Sequence, residues 1–432
     1  MKKWLLIALM LLPSLAFAED TLDTGDTAWM MMSAALVLLM TPAGLALFYA
    51  GMTRSKNVLN TYAMVLGAFV VAFLAWIVAG YSVAFGDGGS LQTVMGGFGN
   101  MFLSGINWND LSGTYPTYVF VVFQGTFAAI TVAIASGSVI ERIKFSTWLV
   151  FVAIWTIVVY APITHMVWGG DGALLFDAGA LDFAGGTVVH MNGGLAGLVL
   201  AFLVGKRTGY PKVAMKPMNV MLTALGAALL WFGWYGFNGG SAFGANAIAG
   251  LAYLTTTLAT AVAAVTWILI EWAMFKKPTL LGAASGVVAG LVAITPAAGF
   301  VDVSGAIIIG AVGSAIAFFG VAVMKKKLGY DDSLDAFGIH FLAGLWGALA
   351  TGFFAIADQD LLWDGPLKAS GDRMGQIMVQ VESIVVVGVF TLIGTVIVYY
   401  IASALTGGGR VDEETESAGL DEAVHGEKGL NL

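Results

Sequence analysis

A chain of 432 residues that is 59% hydrophobic and only 11% charged is no ordinary soluble domain, where about a quarter of residues carry charge. It reads as a polytopic membrane protein. The absence of cysteine excludes disulfides and thiolate metal centres. The net charge of −8 comes largely from loops and an acidic tail, so it says little about the interior. Glycine is abundant, at 57 residues, as expected where helices pack against each other in lipid.

The chain opens Met1-Lys2-Lys3, continues through an apolar run from Trp4 to Leu12, and reaches Ala16-Phe17-Ala18 before Glu19. A basic start, a short apolar run and an Ala-x-Ala end describe a secretory signal peptide over 1–18, cut after Ala18. The alternative is an uncleaved extra span. Residues 19–28 then form a periplasmic N-terminus.

A membrane helix needs ~20 apolar residues. Eleven stretches qualify: 29–51, 61–85, 118–140, 147–168, 186–204, 218–237, 247–275, 279–298, 303–324, 334–356 and 378–405. The expectation is an all-α transmembrane domain over 29–405, followed by a cytoplasmic tail over 406–432. Basic residues test the count. Arg54 and Lys56 follow the first stretch, Arg142 and Lys144 the third, and Lys206, Arg207, Lys212 and Lys216 the fifth. Lys276 and Lys277 follow the seventh, and Lys325, Lys326 and Lys327 the ninth. Alternate loops hold Asp87, Asp110, Asp171, Asp177 and Asp302, with Lys368 and Arg373 as their basic residues. The positive-inside rule places the N-terminus outside and the C-terminus inside a cytoplasmic membrane.

Two stretches echo each other, Asp182-Phe-Ala-Gly-Gly-Thr-Val-Val-His190-Met-Asn-Gly-Gly194-Leu-Ala-Gly197 and Asp335-Ala-Phe-Gly-Ile-His340-Phe-Leu-Ala-Gly344-Leu-Trp-Gly347. Both contain His-x-x-x-Gly-x-x-Gly, with the glycines on one helix face, so the two helices can approach closely there. They fall on the fifth and tenth spans. Spans 1–5 and 6–10 would then be inverted five-helix repeats, with one extra C-terminal helix and a substrate path at the repeat interface.

An ionisable side chain within a membrane is read by default as functional. His190 and His340 have no cysteine, no His-Glu-x-x-His and no acidic cluster beside them, so no metal site is expected. A neutral imidazole donates from one nitrogen and accepts at the other, so two in contact make a polar stripe able to pass a proton. The bland reading is a pair of interhelical hydrogen bonds. Asp182 and Asp335 precede their helices and read as N-caps; Asp182 could also bias a cation toward a pore mouth. Phe123-Gln-Gly-Thr-Phe127 and Trp231-Phe-Gly-Trp-Tyr-Gly-Phe237-Asn-Gly-Gly-Ser241 bring aromatics toward the outer face. Such rings attract a cation by ~0.5–2 kcal/mol or form an interfacial belt. Trp168 is open to both readings.

These segments, together with Ala161-Pro-Ile-Thr-His-Met-Val-Trp168-Gly-Gly and Thr295-Pro-Ala-Ala-Gly, resemble the ammonium transporters of the Amt/Mep/Rh family, and its bacterial Amt branch most. The resemblance runs in order from about Trp29 into the tail. It implies a homotrimer in the inner membrane, each subunit an eleven-helix bundle with its own pore. It implies an outer NH4+ recruitment site at Phe123, Trp168 and Ser241, and a gate of Phe127 and Phe237. His190 and His340 would be the pore histidines, Asp182 the essential aspartate (cap or deprotonation) and Thr295 a pore-side hydroxyl. Ammonium would be deprotonated near the gate, cross as NH3, and send its proton along the histidines, with methylammonium as an analogue. No cofactor, nucleic-acid partner or enzymatic activity is implied.

Gly419-Leu-Asp-Glu-Ala-Val-His-Gly-Glu427 resembles the family tail that couples subunits and supports block by a PII-type signal protein. The ending Lys428-Gly-Leu-Asn-Leu432 departs from the family's usual Ala-Tyr. The rival readings are an ammonium receptor signalling through the tail and a neutral-gas channel.

Overall fold

The computed structural model describes residues 21–356 and 371–429; the expected signal peptide over 1–18 lies outside them. Among the described residues, ten helices are long and apolar enough to cross a membrane: Thr24–Met52, Ser55–Phe85, Thr117–Ser136, Phe145–Trp168, Gly186–Val204, Val220–Gly239, Ala247–Phe275, Val303–Leu328, Phe337–Phe354 and Arg373–Leu405. A shorter apolar helix, Leu280–Ile294, occupies the place of the eighth expected span. Counted with it, helices one to eleven follow the predicted order. Helix eight is short because Thr279 caps its start by accepting from the Gly282 N–H. At its other end Pro296 supplies no N–H to continue it. Helix one begins at Thr24, inside the stretch expected to be extramembrane, because Asp23 accepts from the Asp26 N–H and caps it there.

Burial sorts the helices. In its most apolar stretch helix three is 83% buried, whereas helices seven and eleven are 28% buried. Helix three therefore lies in the core, while Leu254, Val265 and Leu269 of helix seven and Val385, Val389 and Ile393 of helix eleven are exposed, as a lipid-facing surface requires. Helix seven packs along helices eight and nine, and helix eleven along helices ten, five and four. Between helices two and three, Leu111–Ser112 pairs antiparallel with Tyr115–Pro116.

Several helices widen to π-helical turns, which are rare and often mark functional positions. They include Met40–Leu45 in helix one, Thr156–Tyr160 in helix four and Gly186–Met191 in helix five. Tyr235–Gly239 in helix six, Gly320–Met324 in helix nine and Phe337–Phe341 in helix ten match them. These are the partner helices of the expected repeat, and both histidines stand on such turns.

The loops after helices three and five are joined by a buried ionic cluster. The Glu141 carboxylate accepts from the Thr53 hydroxyl at 2.9 Å, the Arg54 N–H at 2.9 Å, Arg54 Nε at 2.8 Å and Arg207 Nη1 at 3.2 Å. Arg207 also forks onto Asp331, with Nη2 to Oδ1 at 2.7 Å. Arg142 donates to the carbonyls of Gly205 and Asp331 and to the Ser333 hydroxyl. The arginines that counted the spans are therefore also structural pins.

The tail closes over the same end. Glu416 accepts from the Thr208 N–H at 2.7 Å and from Arg410 Nη2 at 2.7 Å. Helix two has no side-chain cap from its own Asn57; Asp421 of the tail instead accepts from the Leu59 and Asn60 N–H groups at 3.1 and 2.8 Å. His425 Nε2 meets Asn60 Oδ1 at 3.0 Å. A lost N-cap costs ~0.5–2 kcal/mol. Asp421→Ala is expected to undock the tail, measured as faster proteolysis after Gly409 with the transmembrane bundle intact. Unchanged proteolysis would show that Asp421 does not hold it.

Candidate functional site

The Asp182 side chain builds the start of helix five. Its Oδ1 accepts from the Gly185 and Gly186 N–H groups, and its Oδ2 from the N–H groups of Thr187 and Val188 and the Thr187 hydroxyl. These are the N–H groups that a helix start leaves without partners. Both oxygens are thereby engaged in the cap, and the Asp182 carbonyl accepts from Trp168 Nε1 at 2.8 Å.

At the start of helix ten the expected cap, Asp335, does not hold. It takes a left-handed backbone, φ +64°, and pairs with Lys325 at 2.6 Å. The cap is Asp332, which accepts from the Ala336 and Phe337 N–H groups at 3.2 and 2.8 Å. Asp332 precedes His340 by eight residues, as Asp182 precedes His190. The true echo is therefore longer than the motif first suggested, and Asp335 faces Lys325 in the last turns of helix nine.

Helices five and ten cross at the first glycine of each motif. A Cβ at Gly194 would lie 2.5 Å from the Phe341 backbone N, and one at Gly344 would lie 3.0 Å from the Gly186 carbonyl. Gly197 and Gly347 instead abut Ser138 and Ala293, so only half of the predicted glycine face serves this crossing. The approach sets His190 Nδ1 and His340 Nδ1 3.3 Å apart, with the rings nearly parallel at 21°. One ring donates and the other accepts. Both histidines are buried.

A chain of rings runs from this pair toward the Trp168 end. His190 lies 5.8 Å from Phe237, Phe237 stacks on Phe127 at 4.1 Å, and Phe127 meets Trp168 edge-on at 6.3 Å. Beyond Phe127 a cavity of about 250 Å³ is lined by Phe85, Phe120, Gln124, Trp168, Ser241 and Phe243, among others. Trp168 and Ser241, two of the three residues expected at a recruitment site, thus line one cavity. Phe123 does not line that cavity. It is fully buried behind it, against Phe127 at 4.8 Å and Phe243 at 6.3 Å, so it supports the wall. The Ser241 hydroxyl bonds the Phe237 carbonyl at 2.8 Å, linking the cavity wall to the stacked pair.

Thr295 acts at one remove. Its hydroxyl donates to the Leu291 carbonyl at 2.7 Å and accepts from Trp234 Nε1 at 2.9 Å. Trp234 stacks on His190 at 5.2 Å and 18°. Trp234 was not singled out from sequence; its place in the Trp231–Ser241 run was the available signal. Gln124 was also missed, although it sits beside Phe123. It is 3% exposed, and its Oε1 has no hydrogen-bond partner among the described residues. No group of three or more His, Cys, Asp or Glu able to hold a metal is found among the described residues.

The helices, the buried histidine pair and the aromatic cavity define a multi-pass membrane protein with a polar site enclosed in an apolar bundle. A model of the Ammonium Transporter Family matches residues 28–430. An ammonium transporter of Aquifex aeolicus is 48% identical over 99% of this chain and 98% of its own length. The crystal structure of Candida albicans Mep2 superposes with a TM-score of 0.83 at 33% identity, covering 91% of this chain and 88% of that one. A structure described as a sensor Amt protein superposes with a TM-score of 0.85 at 28% identity, covering 93% and 98%. This chain belongs to the ammonium transporter family.

Proposed function

We propose that this ammonium transporter receives NH4+ in the cavity at Trp168 and Ser241, removes a proton at the Phe127–Phe237 gate, and passes NH3 and the proton separately by His190 and His340. The observation that carries the reading is the 3.3 Å imidazole contact lying directly behind the stacked phenylalanines. A desolvated cation is costly inside a membrane, whereas ammonia is neutral. Potassium matches ammonium in charge and size but has no proton to give up, so the same barrier rejects it. In the cavity, Trp168 offers an aromatic face worth ~0.5–2 kcal/mol to a cation. Phe123 backs this wall, and Thr295 fixes Trp234 against His190. Asp182 holds the start of helix five and the Trp168 ring.

The arginine-rich end faces the cytoplasm in this reading, by the positive-inside rule, which puts the Trp168 cavity outside an inner membrane. The working unit is a homotrimer, with methylammonium as an analogue and the docked tail as the region a PII-type signal protein addresses. Ammonium-evoked current in proteoliposomes tests the central step. His190→Ala/His340→Ala is expected to lower the ammonium-selective current at least about tenfold, equivalent to ~1.4 kcal/mol of barrier. A current of undiminished size and selectivity in that variant would sink the proposal.

A further inference from the structure

A third buried histidine, His165, lies one helical turn before Trp168 and plays no part in the pathway above. It is 0% exposed. Its Nδ1 lies 2.9 Å from the Ala84 carbonyl oxygen and its Nε2 2.6 Å from the Gln92 carbonyl oxygen. A carbonyl oxygen can only accept, and a neutral imidazole has a single N–H. Both contacts are hydrogen bonds only if both nitrogens carry hydrogen.

The surroundings suit a charged ring. Ala84 stands in the last turn of helix two, where carbonyls lack intrahelical partners. The Ser82 carbonyl there is taken by the Gly86 N–H at 2.8 Å and the Val83 carbonyl by the Gly96 N–H at 2.7 Å, leaving Ala84 to His165. His165 also sits in the last turn of helix four. Each helix C-terminus carries about half a negative charge, and a cation there gains ~0.3–2 kcal/mol. Two such ends together favour positive charge on the ring. Among the described residues no acid is paired with His165. On the elements packed against this turn, Asp177 bonds the Gly172 N–H, His190 bonds His340, and neither Tyr81 nor Tyr160 is hydrogen-bonded to the ring.

We infer that His165 is held as an imidazolium and is the positioning residue for Trp168: one doubly donating ring closes the ends of helices two and four and fixes the loop around Gln92 to them. That loop in turn grips the segment following Trp168, because Gln92 Nε2 donates to the Asp171 carbonyl at 3.1 Å. The functional half of this inference rests on the reading of Trp168 as part of the cation-receiving cavity.

The chain has four histidines, so ring 15N spectra of the full-length protein in lipid nanodiscs can resolve them, with His165→Gln giving the assignment. Should that variant fail to fold, His190→Ala/His340→Ala/His425→Ala leaves His165 as the sole signal. Both His165 nitrogens are expected to carry hydrogen, one for each carbonyl contact. A spectrum with one bare nitrogen on that ring overturns the inference. In methylammonium uptake, His165→Gln is expected to raise the half-saturation concentration about fivefold or more with the maximal rate within about twofold, the mark of lost binding rather than lost turnover. If Trp168→Leu raises half-saturation and His165→Gln does not, the positioning role is overturned while the cavity reading stands. If Trp168→Leu also leaves half-saturation unchanged, the cavity reading and the role built on it both fall, and the spectrum alone decides the charge.

Discussion

In Asp182→Ala, methylammonium uptake is expected to fall to background and the protein to lose at least about 3 kcal/mol of stability. Five donors converge on this carboxylate: the N–H groups of Gly185, Gly186, Thr187 and Val188, and the Thr187 hydroxyl. Alanine leaves them buried without a partner, and each such group costs ~1–3 kcal/mol, so even partial relaxation leaves a deficit of that order. The first turn of helix five then unwinds. That turn carries His190 four residues beyond Gly186, and the Asp182 carbonyl anchors Trp168, so both ends of the ring chain lose register. Asp182→Asn separates structure from charge, since it keeps one oxygen acceptor but turns an NH2 toward donors. Recovery of uptake in step with recovered stability assigns Asp182 to the cap. A folded Asp182→Asn protein with no transport would assign the charge itself a part. Unimpaired uptake by the alanine variant would refute the first-turn argument.

How legible this was in the sequence varied with the physics involved. Helix order followed from apolar length and from basic residues in alternate loops, because a bilayer imposes both on any chain crossing it. The histidine pair was readable because two ionisable groups in apolar helices are rare, and because Gly194 and Gly344 admit the close crossing. Helix eight was read too long because Pro296 lies inside an apolar run that hydropathy alone does not interrupt. Asp335 reads as a cap from sequence because it stands nearest the apolar run, and Asp332 draws no notice there. The eight-residue spacing of Asp182 and His190 was present as a clue, but only the structure shows Asp335 turned toward Lys325. Phe123 and Phe127 share one face by spacing, and only packing decides which lines the cavity and which backs it. His165 also falls within an apolar stretch, 147–168, but no second helix echoes it, and the two carbonyl oxygens that set it apart come from distant backbone.

Glu141→Ala is expected to destabilise the protein by about 3–5 kcal/mol, as removing one partner from a buried ionic pair does. Glu141 itself adopts a left-handed backbone, φ +78°, which a non-glycine residue holds only when its surroundings compensate. Here the compensation is Arg54, Arg207 and the Thr53 hydroxyl. Burial pushes the Glu141 carboxyl up, but hydrogen bonds and charge from Arg54, with the charge of Arg207, outweigh it and hold it down from an ordinary 4.5 to about 2. Asp331 is held below its usual range in the same way, against burial, by Arg207. A carboxyl depressed on folding contributes stability that is fully present above its unfolded value and is lost as pH falls through its folded one. The wild type should therefore lose stability steeply as pH falls from 4.5 toward 2, and Glu141→Gln should lose less over that window because its titration is gone. Thermal unfolding in detergent across that range measures the difference; parallel curves would show that the cluster is not ionised as drawn. The consequence extends to the tail, since Thr208, next to Arg207, donates its N–H to Glu416. Loosening Glu141 should therefore free the tail, so Glu141→Ala is expected to expose it to protease at neutral pH while Asp182→Asn leaves it docked.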